Sequence, residues 1–559
     1  VIVIVSDIVF FVAFLGVLTT VSWFLGSYIG NVANGTIRFL EPIEGVFYRL
    51  LGVDKSKEMD WKEYAKAFVV FLLFGICLLF AIQMLQGFLP FNPQGFGGVR
   101  WDSALNTSVS FATNTNWQPV SGELTMSHFT QMAGMTVQNF LSAAAGLAVA
   151  FVLMRSFSRK TVSTIGNFWV DLVKGTFYIL VPLSILFSIV FAGLGVVQTL
   201  QGSVSATTLS GGTQILPLGQ VASQLAIKLL GSNGGGFFGA NSAHPFENPS
   251  MVTNIVSLFS ILLIPAALPF AFGKMLGDKR KGLAIFAAMM VLFLIGLGVV
   301  YANEARSVQI AGISGNAGIY GKDVRFGVAT SALWSQATTA TSNGSVNAMH
   351  DMMTPGANLI HIFNIITGEV IFGGIGVGIV GMLLYAVLTM FIAGLMIGRT
   401  PELLGKKLEI TEMWMAVIAL MGPAVVTLCM TGVGILFKAN AGSANPEGSR
   451  ALTEIIYANA SFVGNNGSAL GGIQANTIFM NISGSIGMLF GRLATVIPAI
   501  ALAGSLARKK ISPQSVASID IASPVFIVML IVIILIVGAL TFFPALLLGP
   551  VLESMKLGM

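Results

Sequence analysis

Four short segments rich in Gly, Asn, Thr and Ser recur along the chain: Thr113-Asn114-Thr115-Asn116, Ser232-Asn233-Gly234-Gly235-Gly236, Thr341-Ser342-Asn343-Gly344 and Gly464-Asn465-Asn466-Gly467. Centred on Thr115, Gly234, Asn343 and Asn466, they are spaced by 119, 109 and 123 residues. Their side chains are neutral and carry oxygens that can brace a loop. Gly adds backbone angles closed to other residues. None of the four contains Asp or Glu. A ring of carboxylates suits divalent or weakly discriminated cations, whereas a cage of neutral carbonyls can replace the water shell of a monovalent cation such as K⁺. One Asn-Gly alone reads as a turn. Four such segments at repeat spacing, each between long apolar stretches, read as four re-entrant loops around one axis.

The elements that must hold such loops are transmembrane helices. Apolar residues make up 55% of the chain and charged residues 9%, against roughly 25% charged in soluble domains. Segments of the length needed to span, about 20 apolar residues, fall at 7–28, 64–87, 129–153, 169–198, 252–272, 282–302, 369–395, 413–437, 476–504 and 523–548. The first reads as a retained helix and not a signal peptide, because no basic region precedes it. The 64 glycines suit close helix approach. Cys77 and Cys429 fall inside spans and read as small buried hydrophobes. The expected fold is an all-α polytopic membrane protein of ten spans, with four pseudo-symmetric helix–pore loop–helix repeats around one pore. Residues 64–160, 161–280, 281–408 and 409–510 form the repeats. Residues 1–63 add a helix and a basic loop, and 511–559 add a last helix. Short pore helices are expected at Ser103–Ala112, Leu218–Leu230, Gly327–Thr338 and Ala451–Ser461. Each would aim the negative end of its dipole at a waiting cation.

Charge sets the orientation. The odd-numbered connections hold 19 of the 29 Lys and Arg residues, which predicts that they are cytoplasmic and that both termini lie outside. The four segments then share the outer side, although they did not enter the count. The net charge of +6 is thus topological, faces anionic membrane lipids, and gives no reason to invoke nucleic acid. No Gly-x4-Gly-Lys-Ser/Thr phosphate loop and no Asp-Lys-Thr-Gly-Thr phosphorylation sequence occurs. The chain reads as having no ATP site and no organic cofactor, so ATP-driven transport would need another subunit.

The chain resembles the family of potassium-binding subunits of potassium-transporting ATPases, KdpA. The resemblance runs from about Glu41 onward. It rests on Gly231 to Pro249 (GSNGGGFFGANSAHPFENP), Thr113 to Gln118 (TNTNWQ), Gln131 to Phe140 (QMAGMTVQNF) and Gly394 to Glu402 (GLMIGRTPE). It implies a non-catalytic subunit of a bacterial inner-membrane complex that imports K⁺, with the filter facing outside. The P-type ATPase KdpB would hydrolyse ATP, with KdpC and KdpF as further partners. It also implies the fold of K⁺ transporters with four helix–pore–helix repeats. A rival within that superfamily is a stand-alone K⁺ channel or gradient-driven transporter.

Other residues carry further expectations. Arg492, a costly charge within span nine, would lie below the filter and divert ions sideways, with Glu369 as a candidate partner. Gly373, Gly374 and Gly376, placed early in span seven, should break that helix and form a gate under the filter. Gln118 is a candidate for tuning affinity, and Arg399 for contacting KdpB. Lys174 is read as pairing with Asp171, and His244-Pro245 as bracing the second loop. His128, His244, His350 and His361 look scattered.

Overall fold

The computed structural model describes residues 2–310, 321–439, 441–512 and 519–556. Ten helices are long and apolar enough to cross a membrane: Val5–Ala33, Trp61–Phe88, Thr130–Ser158, Phe168–Gly193, Met251–Leu276, Lys279–Ala305, Val377–Met396, Ile410–Leu436, Ile478–Arg508 and Pro524–Lys556. The chain is a multi-pass membrane protein. Local chemistry marks helix starts. Asp60 accepts from the Lys62 and Glu63 amides while Glu63 returns a bond to the Asp60 amide, a capping box. Ser250 with Thr253 does the same for Met251–Leu276.

Spans two to nine follow one another in pairs, and each pair encloses a helix too short to cross. These are Trp101–Ala112, Val221–Leu230, Gly327–Ala340 and Gly448–Gly464. Their polar residues, such as Asn106, Ser108, Gln224, Gln336 and Glu454, are buried in protein. That is the condition under which broken helices are tolerated at membrane depth. Thr130–Ser158 and Met251–Leu276 form the centre of the bundle and are the most deeply buried spans. Val5–Ala33 packs on the latter, with Gly26 and Gly30 against Ala267 and Lys274.

Four expectations need correction. The glycine run at 373–378 breaks the helix as expected, but the seventh span begins only at Val377, after most of that run, and not at 369. The chain forms one helix at Pro355–Ile366, breaks, and resumes at Val377. Gly368, Glu369, Phe372, Gly373 and Gly376 all adopt positive φ in that break, which no helix accommodates. Cys77 and Cys429 are exposed on the outer surface of the bundle instead of buried. Asp171 pairs with Arg155 at 2.6 Å and not with Lys174. Two short antiparallel hairpins, Val204–Thr207 with Thr213–Leu216 and Glu402–Leu403 with Lys406–Lys407, lie in loops and leave the helical membrane architecture as expected. The histidines are not all scattered: His350 stacks on His361 with ring centroids 4.9 Å apart.

Candidate ion-selective pore

Each pore helix ends in the same way. The residue after its last turn takes a left-handed conformation: Asn114, Ser232, Ser342 and Asn465 have φ of 68°, 50°, 54° and 58°. The next amide then reaches back to the carbonyl five residues earlier. Thr115 bonds Ser110 at 2.8 Å, Asn233 bonds Lys228 at 2.7 Å, Asn343 bonds Thr338 at 3.1 Å and Asn466 bonds Ser461 at 2.9 Å. These bonds define the register. The counterparts of Thr113 are Gly231, Thr341 and Gly464, and those of Asn116 are Gly234, Gly344 and Gly467. The second segment is therefore shifted by one residue from its sequence reading. Gly231 belongs to the loop, and Gly235 aligns with Trp117, Ser345 and Ser468, just beyond it. The Asn-Gly-Gly-Gly run hid this, because several registers match it equally well.

The four loops close into a ring. A Cβ at Gly234 would strike the Asn343 carbonyl, one at Gly344 the Asn466 carbonyl, and one at Gly467 the Thr115 carbonyl. Glycine at the fourth place thus lets the second, third and fourth loops each approach the third-place carbonyl of the next. Between the first and second loops the link is Asn114, whose Nδ2 donates to the carbonyls of Gly231 and Ser232 at 3.3 and 3.2 Å. Ser342 repeats this from the third loop, donating to the Asn465 carbonyl at 2.7 Å. Asn343 Nδ2 donates to the Asn233 carbonyl at 3.1 Å, and Asn465 Nδ2 to Thr115 Oγ1 at 2.9 Å. Thr113 Oγ1 and Thr115 Oγ1 lie 2.8 Å apart, and Asn116 Nδ2 bonds Asn139 Oδ1. Thr341 Oγ1 donates to the Ala337 carbonyl at 2.7 Å. The side chains brace the loops, which leaves the geometry of the ring to main-chain atoms.

Bracing continues behind the ring. Gln118 Oε1 accepts from the Gly236 amide at 2.9 Å, tying the exit of the first loop to the second. His244 stacks on Phe238 at 3.7 Å. Burial there lowers its pKa below the ordinary histidine value, consistent with neutral Nδ1 accepting from the Phe246 amide. In the third and fourth pore helices an aromatic residue nine positions before the ring supports it. Trp334 Nε1 donates to the Ser345 carbonyl at 3.0 Å, and Tyr457 Oη lies 2.8 Å from Ser468 Oγ. Tyr457 Oη is also 2.8 Å from His350 Nδ1. Neither aromatic nor the His350–His361 stack was singled out from sequence; the constant offset from Asn343 and Asn466 was the available signal.

Below the fourth loop lies a small cavity of about 50 Å³, lined by Gly464, Asn465, Glu369, Gly374 and Arg492 among others. Arg492 is buried and its Nη2 lies 3.5 Å from the Ser142 carbonyl. Glu369 does not pair with it. Its Oε1 accepts from Asn466 Nδ2 at 2.7 Å, so the carboxylate props the fourth loop instead. Gly374 packs beneath Ser342, and Gly376 abuts the backbone of Gly146 so closely that neither position has room for a Cβ. Gly373 donates to the Ala340 carbonyl at 2.9 Å, joining the broken span to the end of the third pore helix. Arg399 lies apart from all of these, exposed after the seventh span.

Four buried re-entrant loops, joined in a ring through neutral main-chain and amide groups, define a membrane protein of the pore-loop class. The potassium transporter TrkH from Vibrio parahaemolyticus shares this fold with a TM-score of 0.51, at 15% identity over 85% of this chain and 97% of that one. The family "Potassium-transporting ATPase A subunit", KdpA, matches residues 12–555, and the chain belongs to it. It is 49% identical to the potassium-transporting ATPase potassium-binding subunit of Pectobacterium atrosepticum over 539 residues, 96% of each chain. It is 47% identical to the protein of the same name from Pseudomonas aeruginosa, over 99% of each.

Proposed function

We propose that the chain is the potassium-binding and -translocating subunit of an ATP-driven K⁺ import complex. The observation that carries this is the closed ring of four loops in a chain so closely related to proteins named for that role. K⁺ would shed its water at the ring, where carbonyl oxygens substitute for it. The four helix C-termini facing the ring add partial negative charge. Below the ring, buried Arg492 would oppose a cation moving straight on, and the break at 368–376 would govern passage sideways. A P-type ATPase subunit, KdpB, would receive the ion and hydrolyse ATP, with KdpC and KdpF completing the assembly and Arg399 placed to meet a partner. The ring would face outside and the basic connections the cytoplasm of a bacterial inner membrane, as the charge distribution favours. On this reading the chain itself catalyses nothing.

The test is to purify the tagged chain from its native membrane after K⁺ starvation, identify what accompanies it, and measure K⁺-stimulated ATP hydrolysis for wild type and Gly234→Asp. A co-purifying P-type ATPase, with a K⁺ dependence altered in the variant, supports the proposal. K⁺ flux through the isolated chain, with no ATPase partner and no stimulated hydrolysis, would replace it with a stand-alone channel or gradient-driven transporter.

A further inference from the structure

The second loop is built unlike the other three. The carbonyl that anchors the third-place amide belongs to Ser110, Thr338 and Ser461 in repeats one, three and four, but to Lys228 in repeat two. A lysine there is unexpected, since its ammonium lies fully buried beside a ring shaped for cations. Burying a charge is costly unless it is paired and hydrogen-bonded. Here it is both. Lys228 Nζ pairs with buried Glu247 and donates to Asn241 Oδ1 at 2.6 Å. Ser242 Oγ adds a bond to Glu247 Oε1 at 2.8 Å. Asn241 turns its other end to the pore, and its Nδ2 donates to the Gly234 carbonyl.

The equivalent position in repeat four supports the same place by a shorter route. Ser461 Oγ accepts from the Gly467 amide at 2.9 Å, and Gly467 is the counterpart of Gly234. In repeat two the anchor lies on the far side of a loop, and a long side chain bridges the gap. The sequence held part of this signal, since Lys228 is the one base inside the pore helix Val221–Leu230, whose other polar residues, Ser223 and Gln224, are neutral.

We propose that Glu247, Lys228 and Asn241 form a positioning relay that fixes the orientation of the Gly234 carbonyl and thereby sets the affinity and selectivity of the ring for K⁺. This rests on the ring being the ion-binding site. The ion pair holds Lys228 rigid, Lys228 fixes the rotamer of Asn241, and Asn241 holds the carbonyl. None of the three side chains touches the ion.

The test compares Asn241→Ala, and the double variant Lys228→Met/Glu247→Gln, which leaves no lone buried charge, with wild type in the purified complex. The readouts are the K⁺ concentration for half-maximal ATP hydrolysis, the maximal rate, and the ratio of K⁺ to Rb⁺ half-saturation. Loss of one hydrogen bond predicts a half-saturation about tenfold higher, a narrowed K⁺/Rb⁺ gap and an unchanged maximal rate. A merely structural role would lower yield or rate without altering ion preference. Gly344→Ala, which disturbs the ring itself, runs alongside. If it shifts the K⁺ dependence and neither relay variant does, the relay is wrong. If none of the three shifts it, the ring is not the binding site and both proposals fall. Should Asn241→Ala fail to assemble, the double variant decides on the same readouts.

Discussion

Replacing Gly344 by Ala tests the ring directly. Gly344 has φ +78°, and an added Cβ would strike the Asn466 carbonyl and lie 3.0 Å from the Ser468 amide nitrogen. The left-handed conformation costs a residue with a Cβ about 1–2 kcal/mol. Forcing extra volume into a filled site costs a further 1–3 kcal/mol or so. Gly277 separates the two contributions. It has φ +73°, and an added Cβ there would meet nothing within 4 Å, so Gly277→Ala carries the backbone strain alone. The difference, about 1–3 kcal/mol, falls on the Asn466 carbonyl. Expressed in ion binding, it corresponds to roughly 5- to 150-fold weaker K⁺. The assay is half-maximal K⁺ for ATP hydrolysis, with thermal melting as the stability control. Both variants should melt lower, but only Gly344→Ala should lose K⁺ affinity. Equal melting losses with an unshifted K⁺ dependence in both would refute the reasoning that the third-place carbonyls take part in the ion site.

Arg492→Met should let K⁺ leak and loosen the link between ion flux and ATP hydrolysis, read as the ratio of K⁺ uptake to phosphate release; an unchanged ratio would remove Arg492 from the ion path. Glu369→Ala leaves Asn466 Nδ2 without its carboxylate acceptor and should raise half-saturating K⁺ by roughly tenfold, the equivalent of about 1.4 kcal/mol, whereas Glu369→Gln, which keeps an acceptor oxygen, should restore most of it. Gln118→Ala removes the acceptor of the Gly236 amide and should weaken K⁺ about fivefold, from a net bond near 1 kcal/mol, with an unchanged maximal rate. Asp171→Ala strands the partly buried Arg155; stability should fall by about 3 kcal/mol, the low end for a buried pair, seen as a lower melting temperature, with the K⁺ dependence of the surviving complex unchanged.

Much of the architecture was legible in the chain because the membrane restricts it so strongly. Only helices satisfy their own backbone in hydrocarbon, so span number followed from apolar length, and the re-entrant segments stood out as polar interruptions. The four pore helices were readable for the same reason: all are short, and Trp101–Ala112, Gly327–Ala340 and Gly448–Gly464 are studded with Ser, Thr or Asn that lipid would reject. Composition also determined that the loops are neutral and glycine-rich. Tertiary structure alone decided what lies across space. It aligned Asn233 with Thr115, because a hydrogen bond to the pore helix sets register where a run of glycines cannot. It paired Asp171 with Arg155 over the nearer Lys174, because helix direction and burial outweigh sequence distance. It turned Glu369 toward Asn466 and away from Arg492, in a break where Gly368 and Glu369 themselves take left-handed backbone. It also brought Lys228, Asn241 and Glu247 together behind one carbonyl. Apolar length and polar interruption are local properties of a chain in a membrane; partners for buried polar groups are chosen only when distant segments meet.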